Sequence, residues 1–270
     1  MAPKRKFNPT RNPFCFRSSS SFDFPVPPLH VWFHDEKIHQ DFSKNFSKHG
    51  SHLEHHVILS DFSDTPLPDV IHTRGWESLY EIPLRCPIVF IQDFYSNMNG
   101  IDAFVPQFAT VLRGTHIVVT PDLVSKILHV LRVAHPDYPA CQRLRTVSKD
   151  EILSHFCETP SIWSERQNTP CSGFAKGPRF LNMVMTFVLT PLSHYNSIIE
   201  PLARFLLSLL QDLSIDFPCH FIISIIDVYR DTKTRDKLIF PLAITRILRH
   251  SPYYTIMGAI NAASVRRSEA

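Results

Sequence analysis

Proline constrains this chain more than any other feature: 22 prolines stand among its 270 residues, against only 7 glycines. Average usage is about 5% Pro and about 7% Gly, so elements here begin and end mainly at proline. Pro87 is placed to open a helix, because a first-turn proline forfeits no intrahelical bond. Behind it Ile88, Ile91, Tyr95 and Met98 form an apolar stripe, widened by Phe94, with Gly100 positioned to terminate it. Thr120-Pro121-Asp122 is a second start signal, combining a hydroxyl N-cap, a first-position proline and an acid at the positive end of the helix dipole. Leu123, Val124, Ile127, Leu128 and Leu131 follow it and predict a helix to about Arg132. Ser148-Lys149-Asp150-Glu151 fits a capping box, with Val147 and Ile152 placed for a hydrophobic staple.

The same period recurs along most of the chain. Ile38, Phe42 and Phe46 predict a helix within 35–49, and Trp76, Leu79 and Tyr80 a short one over 72–81 stopped by Pro83. Later stripes are Phe180, Val184, Phe187 and Val188, then Leu202 to Leu210, then Phe221 to Tyr229, and finally Leu242 to Leu248. Their short connections predict antiparallel neighbours. Only around 105–120 does the period fall to two. There Phe108 to Leu112 and His116 to Val119 flank Arg113-Gly114-Thr115, which predicts one small β-hairpin. Residues 159–178, with Pro160, Pro170, Gly173, Gly177 and Pro178 and little periodicity, read as a long mobile loop. The expected fold is therefore mainly α: a multi-helix globular domain over 30–258 with one small hairpin, between disordered tails at 1–28 and 259–270.

Composition bears on function through charge and cysteine. Hydrophobic content of 44% fits a folded chain. The net charge of +3 is concentrated at the start: Lys4, Arg5, Lys6, Arg11 and Arg17 lie in the first 22 residues with no acid, leaving 23 basic against 25 acidic residues in the remainder. A body near −2 is a poor general phosphate-binding surface, so any nucleic-acid or nuclear-import contact belongs to those five tail residues. The six cysteines are scattered without a C-x-x-C pair, and no apolar signal segment precedes them, which predicts reduced thiols in an intracellular, weakly nuclear setting. Residues 180–199 lack charge for twenty positions, yet eight polar or proline residues interrupt them. A buried helix, a break at Pro191 and a second helix are expected, with no membrane span.

Signatures of catalysis are missing. There is no Asp-Thr-Gly or Asp-Ser-Gly for an aspartic protease, no Asp-Asp for paired metals, and the nearest cysteines are fourteen residues apart, too far for a zinc knuckle. The glycines are dispersed, which excludes a phosphate loop. His49, His52, His55 and His56 cluster with Glu54, but no Glu stands where a helical zinc hydrolase motif needs one, so a polar loop is expected. Cys157 and Cys219 read as small buried residues, Trp76 and Tyr95 as core anchors, and Arg113 as a solvated turn charge.

Six short words carry a family resemblance: Phe42 with Phe46, Arg74-Gly75-Trp76, Phe94-Tyr95-Ser96-Asn97, Arg113-Gly114, Pro191-Leu192-Ser193-His194, and Phe240-Pro241-Leu242-Ala243-Ile244-Thr245. In this order the chain resembles the "putative plant transposon protein domain" family of plant retroelement reading frames, from about Phe33 to Tyr254. It departs from the family around Arg246 to Leu248, where relatives carry a cysteine, and soon after Asn261, where relatives continue; the resemblance thus implies a shortened copy. The family brings no catalytic, cofactor or metal residues. The expectation is a non-enzymatic structural or interaction domain without cofactor, metal or small-molecule ligand. Its partner would be a protein or a second copy, the alternative being nucleic-acid binding through the basic tail.

Overall fold

In the computed structural model the described residues are 40, 42–51, 54, 57–80, 88–112, 114–164, 168–190, 195–231 and 237–251. Both expected tails, including Lys4, Arg5, Lys6, Arg11 and Arg17, lie outside them, as does the stretch 191–194. The described helices are α1 (Leu67–Arg74), α2 (Ile88–Ser96), α3 (Pro121–Leu128), α4 (Gln142–Thr146), α5 (Lys149–Ser154), α6 (Lys176–Val184), α7 (Glu200–Leu210), α8 (Phe217–Arg230) and α9 (Pro241–Arg249). The strands are β1 (Gly50–Ser51), β2 (Met98–Asp102), β3 (Gln107–Leu112), β4 (Thr115–Val119), β5 (Asn168–Pro170), β6 (Ser197–Ile199) and β7 (Lys237–Leu238).

The expectation of a mainly α domain with one hairpin is corrected. About 54% of the described residues are helical and 16% extended, and the strands form three sheets, so the fold is an α/β mix. The hairpin exists as β3–β4, but β2 joins it to make a three-stranded antiparallel sheet. The physical reason sits at Ser96–Gly100. The helical stripe runs to Met98, yet α2 ends at Ser96 and Gly100 takes a left-handed φ of +57° inside the new strand. A helix-terminating glycine and a strand glycine look identical in sequence. The other two sheets pair distant segments: β1 runs parallel to β7, and β5 antiparallel to β6. Each of these strands has two or three residues, too few to show alternation.

Local signals were more faithful. The Thr120 hydroxyl accepts from the Leu123 amide at 3.2 Å, and the Ser148 hydroxyl from the Glu151 amide at 3.2 Å. Each such cap contributes about 1 kcal/mol. Helix α3 closes earlier than its apolar pattern suggests, at Leu128, because His129 adopts the left-handed conformation. The helix expected over 72–81 is split: α1 ends at Gly75 (φ +62°), and Glu77–Tyr80 follow as a 3-10 turn. Of the helix expected within 35–49, residues Phe42–Phe46 form a π-helical turn. Residues 159–178 hold β5, a 3-10 turn at Cys171–Gly173 and the start of α6. Beyond α6, Met185–Leu189 continue as a π-helical turn, while Ser197–Ile199 form a strand where the second helix was expected; that helix, α7, begins at Glu200.

One continuous apolar cluster runs through all of this, from Phe46 to Leu248. Sequence neighbours are not its main pairs. Helix α8 packs on α3, α9 packs on both α2 and α3, and α7 packs on α5 and α6. The three-stranded sheet lays Phe108, Thr110, Leu112, Ile117 and Val119 inward, with β3 against α2. Its opposite face points to solvent.

Candidate functional site

Three of the six family words meet in the interior. Trp76 is buried with its ring 5.6 Å from that of Phe217, and the Arg74 guanidinium lies 5.6 Å from the Trp76 centroid. Arg74 also donates to the carbonyls of Val70 (3.2 Å) and Leu213 (3.1 Å) and pairs with Asp212 at 3.0 Å. Gly75 supplies the left-handed helix end that lets both side chains turn inward. Directly before the Phe94-Tyr95-Ser96-Asn97 word, Asp93 is fully buried and accepts from Asn97 at 2.7 Å, while Phe94 meets Phe108 edge to face at 5.6 Å. The Tyr95 hydroxyl donates to the Ile239 carbonyl at 3.2 Å, joining the second word to the third. Arg246, just past the third word, donates to the Ser78 carbonyl at 2.8 Å, just past the first. These residues hold helices to one another, and Trp76 and Tyr95 are the core anchors expected of them.

Of the histidine cluster, His52, His55 and His56 lie outside the described residues. Glu54 turns inward. Its two carboxylate oxygens accept from the amides of Leu242 and Ala243, both at 3.0 Å, capping α9 from 188 residues away. Phe240 precedes that helix with φ +55° and its ring lies 4.6 Å from that of Phe221. Burial pushes the Glu54 carboxyl up to about 7, against the two amide bonds, which pull it down. Among the described residues no group of three or more His, Cys, Asp or Glu side chains is arranged to hold a metal.

A cleft of about 270 Å³ is lined by Tyr138, Pro139, Leu144, Arg145, Glu200, Pro201 and Arg204. Two of its charged groups, Arg204 and Glu200, are engaged in structure. Arg204 donates to the carbonyls of Leu144 and Val147 and to Glu200, which also pairs with Lys149 at 3.0 Å. Tyr138 packs edge to face on Phe205 at 5.0 Å, in front of His220, whose imidazole is pushed down to about 4 by burial. The described cysteines Cys141, Cys157, Cys171 and Cys219 are free thiols. Cys157 and Cys219 are half-buried rather than enclosed, and burial pushes Cys219 up to about 11 and Cys171 up to about 12. A thiol held protonated in this way is a poor nucleophile.

What stands open is the sheet. Asp102 accepts from the amides of Phe104 (2.8 Å) and Val105 (3.1 Å), an arrangement that fixes the β2–β3 turn. On that turn Phe104 is 99% exposed and Val105 61%. The outer face carries two cross-strand rows, Asn99–Ala109–Val118 and Val111–His116, in which Ala109 is buried and Val118 is 46% exposed. Sequence reasoning missed this surface. The one available signal was Phe104-Val105-Pro106 directly after an acid able to cap a turn. Arg113 lies outside the described residues.

Among the described residues the domain is a packed scaffold with an open turn at Phe104 and Val105, and no described helix is long and apolar enough to cross a membrane. Residues 72–252 match the sequence profile of the "putative plant retrotransposon-related domain" family, and the chain belongs to that family. Comparison with curated proteins and with solved structures finds no match to either.

Proposed function

We propose that this retrotransposon-related domain is a non-enzymatic interaction module that binds protein through the β2–β3 turn and the adjoining sheet face. The observation that carries it is Phe104, held by the Asp102 turn at 99% exposure next to Val105 at 61%. A large aromatic in that position costs solubility and contributes nothing to the interior, which fits a contact residue. The engagement of Arg204, Glu200 and Lys149 with one another and with main-chain carbonyls supports a structural rather than a chemical role for the cleft.

The test is a Phe104→Ser/Val105→Ser double variant of the full chain, compared with wild type by proximity labelling in plant cells. The expected result is an unchanged melting temperature and loss of the proteins labelled by wild type. An identical labelled set, or none above a free-label control, overturns the reading.

A second reading rests on the acid-free basic run of Lys4, Arg5, Lys6, Arg11 and Arg17, which would contact nucleic-acid phosphates or direct the protein to the nucleus. Five cations limit the salt dependence on duplex DNA to a log–log slope of about −4.5. Replacing all five by alanine should abolish both affinity and slope in a filter-binding titration. Unchanged binding removes this reading.

A further inference from the structure

We infer that the outer edge of β4 is a self-association site, where a second copy of this chain adds its own β4 antiparallel about a two-fold axis near Ile117. The inference goes beyond the interaction reading above and concerns a different edge of the same sheet.

The sheet order is β2-β3-β4, so β4 has a neighbour on one side only. Its ladder to β3 is regular from Phe108↔Val119 to Leu112↔Thr115, and among the described residues no other segment pairs with it. Alternate amides and carbonyls of Thr115–Val119 therefore face outward, ready to template another strand. Natural edges are normally blunted by a charge, a proline, a bulge or a covering element. The opposite edge of this sheet has such devices: β2 carries Asp102, the left-handed Gly100 and a register shift between Asn99 and Asp102. Strand β4 has none. Thr115-His116-Ile117-Val118-Val119 contains no Lys, Arg, Asp, Glu or Pro, and four of its five residues are β-branched.

A second copy fits this edge through symmetry and charge. Two identical, uncharged strands meet without like-charge repulsion, and a two-fold pairing makes one patch complementary to itself. Pairing about Ile117 sets Val118 of one copy beside His116 of the other on the solvent face. Strand pairing alone buries less than the roughly 1,200 Å² of a stable interface. The exposed face around Val118 must therefore contribute, and the dimer is weak and concentration-dependent.

Sedimentation of the full chain over a concentration series reads the association directly. Wild type should pass from monomer to dimer, with the outward amides of β4 gaining protection from hydrogen exchange as it does so. Val118→Lys, at an exposed position, should keep the wild-type unfolding midpoint and weaken association by about tenfold or more. A strict monomer at every concentration overturns the inference, and so does a dimer that Val118→Lys leaves intact or that forms without β4 protection. Neither outcome touches the Phe104 and Val105 result, so failure here is separable from failure of the interaction reading.

Discussion

Replacing Trp76 by alanine should remove about 3–5 kcal/mol of stability, the range for truncating a large aromatic in a closed interior. Against a typical total of about 5–15 kcal/mol, this brings the domain close to unfolding at ambient temperature. The environment of the ring argues for the upper part of the range. Trp76 is 2% exposed, faces Phe217 at 5.6 Å and carries the Arg74 guanidinium over its π face. Removing it leaves a cavity and also strips cover from Arg74, a cation whose side chain is only 9% exposed. Urea unfolding with an unchanged slope is the measurement. Trp76→Phe, which keeps a ring against Phe217, should lose distinctly less. A cost below about 1 kcal/mol for Trp76→Ala would mean that the site behaves like surface and that the Arg-Gly-Trp word has no structural role.

The second large effect belongs to Glu54 and appears as a pH dependence. Burial raises its folded pKa from 4.5 to about 7. A carboxyl shifted upward binds its proton more tightly folded than unfolded, so its contribution is fully present below pH 4.5 and is lost as pH rises through about 7. At about 1.36 kcal/mol per unit, the loss is about 3 kcal/mol. His220 opposes it: depression from 6.5 to about 4 makes that histidine cost stability as pH falls from 6.5 toward 4. The two slopes nearly cancel between pH 4.5 and 6.5 in the wild-type protein. The informative quantity is therefore the difference between wild type and Glu54→Gln. It should shift by about 3 kcal/mol against the wild type between pH 4.5 and 7.5 in urea unfolding, and the Glu54→Gln variant by itself should show the rising His220 limb. Parallel curves would mean that the Leu242 and Ala243 amides, with the α9 dipole, outweigh burial and hold Glu54 ionised.

How legible the protein was depends on how far apart the interacting residues lie. Thr120 and Ser148 announced α3 and α5 because a cap acts on an amide three residues away. The β3–β4 hairpin was visible because both strands and their turn fall in one window of alternating residues. Trp76 and Tyr95 were recognisable as interior because their helical neighbours are apolar on the same face. Glu54 was not, since its partners are amides 188 residues away and its own neighbours are histidines. Nor was the outward-facing Phe104, whose exposure follows from Asp102 holding a turn and from no described residue packing on its ring.

The helix starts at Thr120 and Ser148, the β3–β4 hairpin and the apolar interior were written in local order, through forces that act within a short stretch of chain. The third strand of the central sheet, the β1–β7 and β5–β6 pairings, the inward carboxylate at α9 and the bare edge of β4 came only with folding. They depend on which distant segments packing brings together, and short-range periodicity carries no record of that.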